Sequence, residues 1–285
     1  MKTLLSTALL AVVVTSSHAA TVLNYPNFSN TAGLQLNGAA AQAGSVLRVT
    51  PSAAFQGGSV FSTSAVTLNP NVSFSTFFSF RIDTPGGISD FDGQGADGLV
   101  FVVQTNSNSV GGAGGGIGYQ GINNSLGIEF DTWFNPELGD ADGNHVGINT
   151  NGSLASALGE VNVSAGRLNN GSIWYAWVDY DGTTDGLEVR LSTTSTRPAA
   201  PIVSSTVDLT TVLGGTNAFV GFTSGTGSAF NNHDLLAWEF RDDFNPVIEP
   251  PRTVPDGGGT LGIMGLSLGG LMLGKRFLRR TTATA

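Results

Sequence analysis

An alternation of apolar and polar side chains with a period of two residues constrains the fold of this chain most strongly. The clearest example is VSFSTFFSFRID, residues 72–83, and further strand-like runs occupy residues 97–104, 173–193, 218–224 and 235–243. No long stretch has the 3.6-residue period of a helix, and turn-forming residues separate the runs. Many short strands without helices between them predict an all-β fold, an antiparallel sandwich of the jelly-roll kind.

The composition excludes several classes of protein. The chain has 285 residues, a formal net charge of -9 and a pI of about 4.6. Nucleic-acid binding requires a basic surface, so the acidic balance argues against it. The absence of cysteine excludes disulfides, zinc–thiolate sites and a thiol nucleophile. The chain is nevertheless long enough to bury one large core.

The N-terminal end is typical of a targeting segment. Lys2 precedes an apolar run, and the small residues Ser17 and Ala19 stand where a signal peptidase prefers them. Residues 1–20 are therefore predicted to be a signal peptide that is removed on export. The β-rich region that follows, residues 21–245, is predicted to be one domain.

The C-terminal end combines a Pro/Gly linker at residues 246–259 with an apolar helix and basic tail predicted at 260–285. Its apolar run, 261–273, is shorter than the ~20 residues that span a bilayer, so length alone does not identify it as a membrane anchor. Two interpretations of this end are open: an ordinary transmembrane helix, and a sorting tail. The three-part order resembles the PEP-CTERM family of bacterial sorting tails, in a VPDSG-like form at residues 254–257. That resemblance implies an exosortase-type sorting enzyme as a partner and a secreted or cell-surface bacterial protein.

Charge is concentrated in one stretch, residues 126–149, which contains five acidic residues and one of the three histidines. Alternate side chains of a strand share a face, so Glu129 and Asp131 point the same way. Adjacent carboxylates repel each other. Either protonation of one carboxylate or a bound cation relieves that repulsion, and a cation does so while both stay ionised. Further candidate ligands follow in the chain: Asn135, Asp140, Asp142 and His145. Oxygen ligands together with one imidazole suit a calcium ion beside an octahedral transition ion such as manganese. The alternative interpretation is an acidic loop that is exposed to solvent and binds no metal.

The segment IEFDTWFNPELGDADGNHVGI, residues 128–148, resembles the metal-binding segment of the legume-type (L-type) lectins, and the resemblance covers most of residues 28–242. It implies a concanavalin A-like lectin fold with bound Ca²⁺ and Mn²⁺ or another octahedral divalent metal. The implied transition-metal ligands are Glu129, Asp131, Asp140 and His145. The implied calcium ligands are Asp131, the backbone carbonyl of Trp133, the side chain of Asn135, and Asp140. Asp142 is an extra acid, so the bridging carboxylate is either Asp140 or Asp142, and the spacing favours Asp140.

Two glycine-containing segments, GADGLVFVV (95–103) and GGAGGGIGYQG (111–121), resemble carbohydrate-contacting loops of the same family. The resemblance implies a cis peptide between Ala96 and Asp97, with the Asp97 carboxylate accepting hydrogen bonds from sugar hydroxyls. The other implied sugar contacts are the backbone N–H of Gly115, the side chain of Asn135, the ring of Trp133 and, from a late loop, Ser228. A carboxylate, an amide and a backbone N–H hold paired hydroxyls, while an aromatic ring covers the apolar face of a pyranose.

The predicted function is a non-enzymatic carbohydrate-binding protein that recognises a glycan or exopolysaccharide, and a homo-oligomer is its candidate assembly. A glycoside hydrolase is one alternative, because Glu129 and Asp131 could supply its two carboxyl groups. The hydrolase pattern expects a further glutamate where this chain has Trp133. A matrix or adhesive protein that keeps the fold without binding sugar is the other alternative.

Overall fold

The structure is a computed structural model that describes residues 21–69, 71–112 and 114–251. This part of the chain is nearly all β-structure, with one short helix, α1 (Leu209–Leu213), and a 3-10 turn at Gly114–Gly116. The strands in chain order are β1 (Thr21–Tyr25), β2 (Leu34–Gly38), β3 (Ala41–Ala43), β4 (Val46–Thr50), β5 (Gly57–Ser62), β6 (Val66–Thr67), β7 (Phe74–Gly87), β8 (Gly98–Gln104), β9 (Ser125–Asp131), β10 (His145–Thr150), β11 (Glu160–Asn162), β12 (Ile173–Asp181), β13 (Gly186–Ser192), β14 (Val203–Thr206), β15 (Asn217–Gly225) and β16 (Ala229–Arg241).

The strands form two antiparallel sheets. The back sheet has the order β14-β13-β12-β7-β16-β4-β3, with β1 also paired to β16. The front sheet has the order β11-β10-β9-β8-β15-β5-β2, with β6 also paired to β15. The predicted all-β antiparallel sandwich is therefore confirmed.

The main core lies between the sheets and is rich in aromatic rings. Phe78 of β7 packs edge-on against Phe222 of β15, with 4.9 Å between ring centroids, and against Phe130 of β9 at 5.6 Å. Offset and edge-to-face arrangements of this kind are the favourable ones for aromatic pairs. The core-facing phenylalanines of β7, such as Phe78, are thus the ones that the two-residue alternation predicts to be buried.

A second apolar cluster covers the outer face of the front sheet. Ile117 and Tyr119, from the loop after the 3-10 turn, pack with Val100 and Val102 of β8 and with Leu154. Because the sandwich core buries one face and these loops bury the other, every residue of β8 and β9 is buried. Acidic side chains that point outward from β9 are consequently shielded from water.

The chain continues to pack on the back sheet beyond β16. Asn245 donates its backbone N–H to Ser75 at 3.0 Å, and Val247 is fully buried against Phe77 and Trp177. Asn245 and Val247 thus lie against the back sheet, where the sequence predicts the start of a linker at residue 246.

The predicted targeting segments lie outside the described residues. These are the signal peptide at 1–20 and most of the C-terminal region, including the motif at 254–257 and the apolar run at 261–273. Between residues 21 and 251, no described helix has the length and apolar character needed to cross a membrane.

His233 provides a test of the core that is independent of any ligand. Its ring is fully buried, and Nδ1 lies 2.7 Å from the hydroxyl of Thr50. Burial lowers the pKa of His233 from 6.5 to about 3. The unfolded chain therefore takes up a proton as the pH falls below 6.5 while the folded chain does not, so this residue costs stability between pH 6.5 and about 3.

We expect NMR to show a neutral His233 ring throughout the titration from pH 7 to about 5. An imidazole signal that titrates near the ordinary histidine pKa would contradict the buried, uncharged environment.

Candidate functional site

The acidic residues of β9 meet the histidine that begins β10. In the antiparallel register Asp131 is opposite His145, and Glu129 is opposite Gly147. The ligand atoms of Asp131, Asp140 and His145 all lie within 4.8 Å of one another. Two carboxylates and one imidazole therefore converge at the end of the front sheet.

Glu129 is adjacent to this group. Its Oε1 lies 3.5 Å from His145 Nε2 and accepts a hydrogen bond from the Ser156 hydroxyl. A Cβ at Gly147 would collide with Glu129 Oε1 and Ser156 Oγ, so glycine at this position makes room for the carboxylate. All four predicted transition-metal ligands, Glu129, Asp131, Asp140 and His145, are thus brought together.

Asp142 lies on the other side of the histidine ring. His145 Nδ1 is 3.1 Å from the backbone oxygen of Asp142 and 3.8 Å from its Oδ1. The Nε2 atom instead faces Glu129 and is buried without a hydrogen-bond partner. Histidine ligands commonly bind a metal through one nitrogen while the other is oriented by a neighbouring oxygen. Asp140 therefore lies with Asp131 and His145 in the group that could hold a metal, whereas Asp142 contacts the other nitrogen of the His145 ring.

The loop after β9 is held to the same carboxylates through its backbone. Trp133 N–H donates to Asp131 Oδ1 at 2.6 Å, and Asn135 N–H donates to Asp140 Oδ2 at 2.7 Å. The side chains of Trp133 and Asn135 are both partly buried. Any cation that fixes these two carboxylates therefore also fixes the positions of Trp133 and Asn135.

The electrostatics of the group favour a cation. Burial raises the pKa of Asp131 well above its usual range, and burial raises the pKa of Asp140 to about 6. Burial lowers the pKa of His145, but its contact with Glu129 and the charge of Asp131 outweigh this effect and raise that pKa to about 10. Without a metal, the buried carboxylates attract protons, and a divalent cation satisfies the same need for positive charge.

Asp97 forms the centre of a second polar group. It precedes β8 and follows a cis peptide bond from Ala96, as the resemblance implies. Its backbone is held on both sides, because Asp97 N–H donates to Gly225 O at 3.2 Å and Thr132 N–H donates to Asp97 O at 3.0 Å. Its side chain is only 5% exposed, yet Oδ2 has no hydrogen-bond partner. Burial raises the pKa of Asp97 to about 7.

Three loops surround this carboxylate. A Cβ built on Gly227 would lie 3.6 Å from Asp97 Oδ2, and one built on Gly115 would lie 3.5 Å from Asn135 Nδ2. Gly114 N–H donates to Thr226 O at 3.2 Å and so joins two of these loops. The predicted sugar-contacting residues Asp97, Gly115, Trp133 and Asn135 therefore lie on loops that converge, while Ser228 is exposed on the late loop.

Two further aspartates connect the loops, and the sequence reasoning missed them. Asp90 Oδ2 accepts the backbone N–H of Phe134 at 3.1 Å, and Asp92 Oδ2 accepts that of Gly143 at 3.1 Å. These bonds tie the segment that leads to Asp97 to the loop that bears the metal-ligand candidates. The repeated Asp-x-Asp spacing in "SDFDG" was the available signal, but the distant backbone partners were not visible in the sequence.

Replacing Asp90 or Asp92 with alanine is expected to lower the unfolding free energy by roughly 1–2 kcal/mol each, because a buried backbone donor loses its carboxylate acceptor. Thermal unfolding monitored by circular dichroism measures this loss. Asp181→Ala is the matched control, since Asp181 accepts only a local N–H, that of Thr183, within a hairpin. Equal melting temperatures for the wild type, both variants and the control would contradict the connecting role.

A model of the legume lectin domain matches residues 20–254. The chain belongs to the legume lectin family. Its curated relatives include the L-type lectin-domain containing receptor kinase VIII.1 of Arabidopsis thaliana, which is 34% identical over 220 residues, covering 74% of this chain and 29% of the kinase. Receptor kinase SIT2 of Oryza sativa subsp. japonica is 32% identical over 59% of this chain and 27% of its own length. This legume lectin chain thus spans less than a third of each of these relatives.

Solved structures agree with the family. The Bauhinia forficata lectin in complex with GalNAc is 25% identical, with a TM-score of 0.66 over 77% of this chain and 96% of that one. Basic winged bean lectin with Tn-antigen is 28% identical, with a TM-score of 0.64 over the same shares. The predicted concanavalin A-like jelly roll is confirmed. The legume lectin domain and the lectins of these solved structures are non-enzymatic carbohydrate binders, in agreement with the non-enzymatic function predicted for this domain.

Proposed function

We propose that this legume lectin binds a glycan reversibly at the convergence of its loops, in a site organised by calcium and a transition metal. The observation that supports this most directly is the buried, unpartnered Oδ2 of Asp97, 3.6 Å from a Cβ built on Gly227. A buried acceptor without a donor is unfavourable, and sugar hydroxyls supply the missing donors. Gly115 allows a ligand to approach its backbone N–H closely.

The residues present fit the metals that legume lectins bind, calcium and manganese. His145 Nε2 is buried without a hydrogen-bond partner, beside three carboxylates. Glu129, Asp131, Asp140 and His145 would hold the transition metal. The Asp131 and Asp140 carboxylates, the Trp133 carbonyl and the Asn135 side chain would hold calcium, whose ligands are oxygens. The metals supply fixed positive charge, while the sugar is held by the chain's own side chains and backbone.

Each sugar contact has a distinct role. Asp97 accepts from hydroxyl groups, the Asn135 amide donates and accepts, and Gly115 offers a backbone N–H. Trp133 covers the apolar face of the ring, and Ser228 contacts the ligand from the late loop. A single shallow site binds weakly, so useful affinity would come from several sites on one surface or homo-oligomer.

We further propose the export route that the terminal sequences indicate. A signal peptide at residues 1–20 directs the chain out of the cytoplasm, the lectin domain spans residues 21–245, and the PEP-CTERM-like segment after residue 246 is read by an exosortase-type enzyme of a bacterial cell. The glycan would then be encountered at the cell surface or in the extracellular matrix. Processing of the tail is testable by mass spectrometry of the protein recovered from a bacterial culture.

Retention on immobilised sugars tests the binding proposal. We expect the purified chain to be retained on a matrix of galactose, N-acetylgalactosamine, mannose or fucose and to elute with the same free sugar. Galactose-type sugars come first because several of the similar solved lectins are complexes with them. A folded, metal-loaded protein that passes every matrix would instead support a structural matrix protein with the lectin fold.

A further inference from the structure

Two large apolar side chains are exposed on either side of the late loop at residues 227–229. Phe55 is 71% exposed and Ile88 is 56% exposed. The backbone N–H of Phe55 donates to Gly227 O at 3.0 Å, and that of Ile88 donates to Ser228 O at 3.3 Å. Both residues are therefore fastened to the loop that borders Asp97.

The segment that presents Phe55 is held firmly. Thr226 N–H donates to Gln56 O at 2.9 Å, and Gln56 N–H donates to the Thr226 hydroxyl at 2.8 Å. The same hydroxyl donates to Ala53 O at 2.7 Å. Together with the Phe55–Gly227 bond, these contacts hold the backbone of Phe55 beside the late loop that borders Asp97.

The backbone conformation of Phe55 is unfavourable for its side chain. Its φ is +57°, in the left-handed region where glycine is the favoured residue. For a bulky side chain this conformation is uncommon, and such residues concentrate at functional sites. An exposed ring on a backbone that favours glycine has no evident benefit for folding. The combination of exposure and unfavourable backbone conformation indicates a role for Phe55 in binding.

We propose that Phe55 and Ile88 form a second subsite that takes the neighbouring pyranose of an oligosaccharide. The inference rests on the proposed sugar binding at Asp97. An aromatic face and an aliphatic side chain separated by the polar Ser228 suit a sugar ring, which is apolar on its C–H face and polar at its edge. A purely apolar ligand would favour a continuous apolar pocket, which this arrangement does not provide.

Calorimetric titration of the full chain with defined sugars tests the subsite. The probes are methyl glycosides of galactose, N-acetylgalactosamine, mannose and fucose, each compared with a disaccharide that ends in the same sugar. We expect the wild type to bind one disaccharide about threefold to tenfold more tightly than its methyl glycoside, as one aromatic contact provides. Phe55→Gly should remove that preference and leave affinity for the methyl glycoside unchanged.

The stability of the same variants separates binding from folding. Because glycine relieves the left-handed conformation and the ring is mostly exposed, Phe55→Gly should melt no lower than the wild type. Phe55→Tyr, which keeps the ring, should retain the disaccharide preference. Phe244→Gly is the matched control, because Phe244 is an exposed aromatic on the segment after β16, away from the late loop.

The possible outcomes are distinguishable. A disaccharide preference that persists in Phe55→Gly, or a wild type that binds methyl glycosides without any disaccharide preference, overturns the subsite alone. The p-nitrophenyl glycosides of the same four sugars are added to the panel as apolar probes, and a preference for them over every disaccharide overturns the choice of a pyranose as the occupant. A wild type that binds no sugar in the panel overturns the proposed function, and the subsite fails with it.

Discussion

Excess EDTA is expected to lower the melting temperature of the metal-loaded protein by about 10 °C. Metals that bind only the folded state stabilise it by ~4 kcal/mol when free metal is at 1,000 times its dissociation constant. For a domain of this size, each kcal/mol corresponds to roughly 2–4 °C. The physical cause is the cluster of the buried Glu129 and Asp131 with the partly buried Asp140, whose negative charges repel one another without a cation. Differential scanning calorimetry with and without chelator measures the shift.

The Asp131→Asn variant provides the matched control for the chelator. It keeps the size of the side chain and removes one buried charge at the centre of the ligand group, so its melting temperature should respond little to EDTA. An unchanged wild-type melting curve in excess chelator would count decisively against the metal site.

Replacing Asp97 with alanine is expected to weaken sugar binding by about 100-fold, which corresponds to the ~3 kcal/mol of hydrogen bonds made by a charged acceptor. Asp97 is not among the proposed metal ligands, so the response of the melting temperature to EDTA should stay as in the wild type. Calorimetric titration with the preferred sugar measures the sugar affinity, and melting curves of the same preparation with and without EDTA measure the metal response.

Asn135→Ala provides the contrast. Asn135 is proposed to bind calcium and sugar together, so its loss should reduce both the sugar affinity and the EDTA response. Asp208→Ala changes an exposed carboxylate that caps α1 and should affect neither property. Full sugar binding by Asp97→Ala would refute the assignment of the site, and a normal EDTA response in Asn135→Ala would remove that residue from the calcium ligands.

The fold was largely predictable because the apolar and polar pattern of each strand indicates which of its side chains are buried. In β7 the alternation of Phe74, Phe78 and Phe80 with polar residues marks the side that faces the core. The continuous apolar run of β8 indicated burial on both faces, and the structure supplies the reason, which is the loop containing Ile117 and Tyr119. Where that covering loop would pack could not be predicted, since its apolar residues show no regular period.

The local part of the candidate site was also predictable. Glu129, Asp131, Asp140 and His145 are close in sequence, and antiparallel pairing of β9 with β10 brings them together. The contributions of Asp90, Asp92 and Phe55 were not predictable, because each depends on a backbone group far along the chain. The Asp-x-Asp spacing marks Asp90 and Asp92 in the sequence, but their distant main-chain partners cannot be located from the residues around them.

A glycan array is the direct test of a metal-organised sugar site at Asp97. The purified protein would be applied in calcium plus manganese, in EDTA, and as the Asp97→Ala variant in both metals. With calcium and manganese present, we expect the wild type to give strong signals on one family of related glycans. Those signals should be lost both with EDTA and in the Asp97→Ala variant. Signals that are identical in all three conditions, or no signal from a folded and metal-loaded wild type, would contradict a metal-organised sugar site at Asp97.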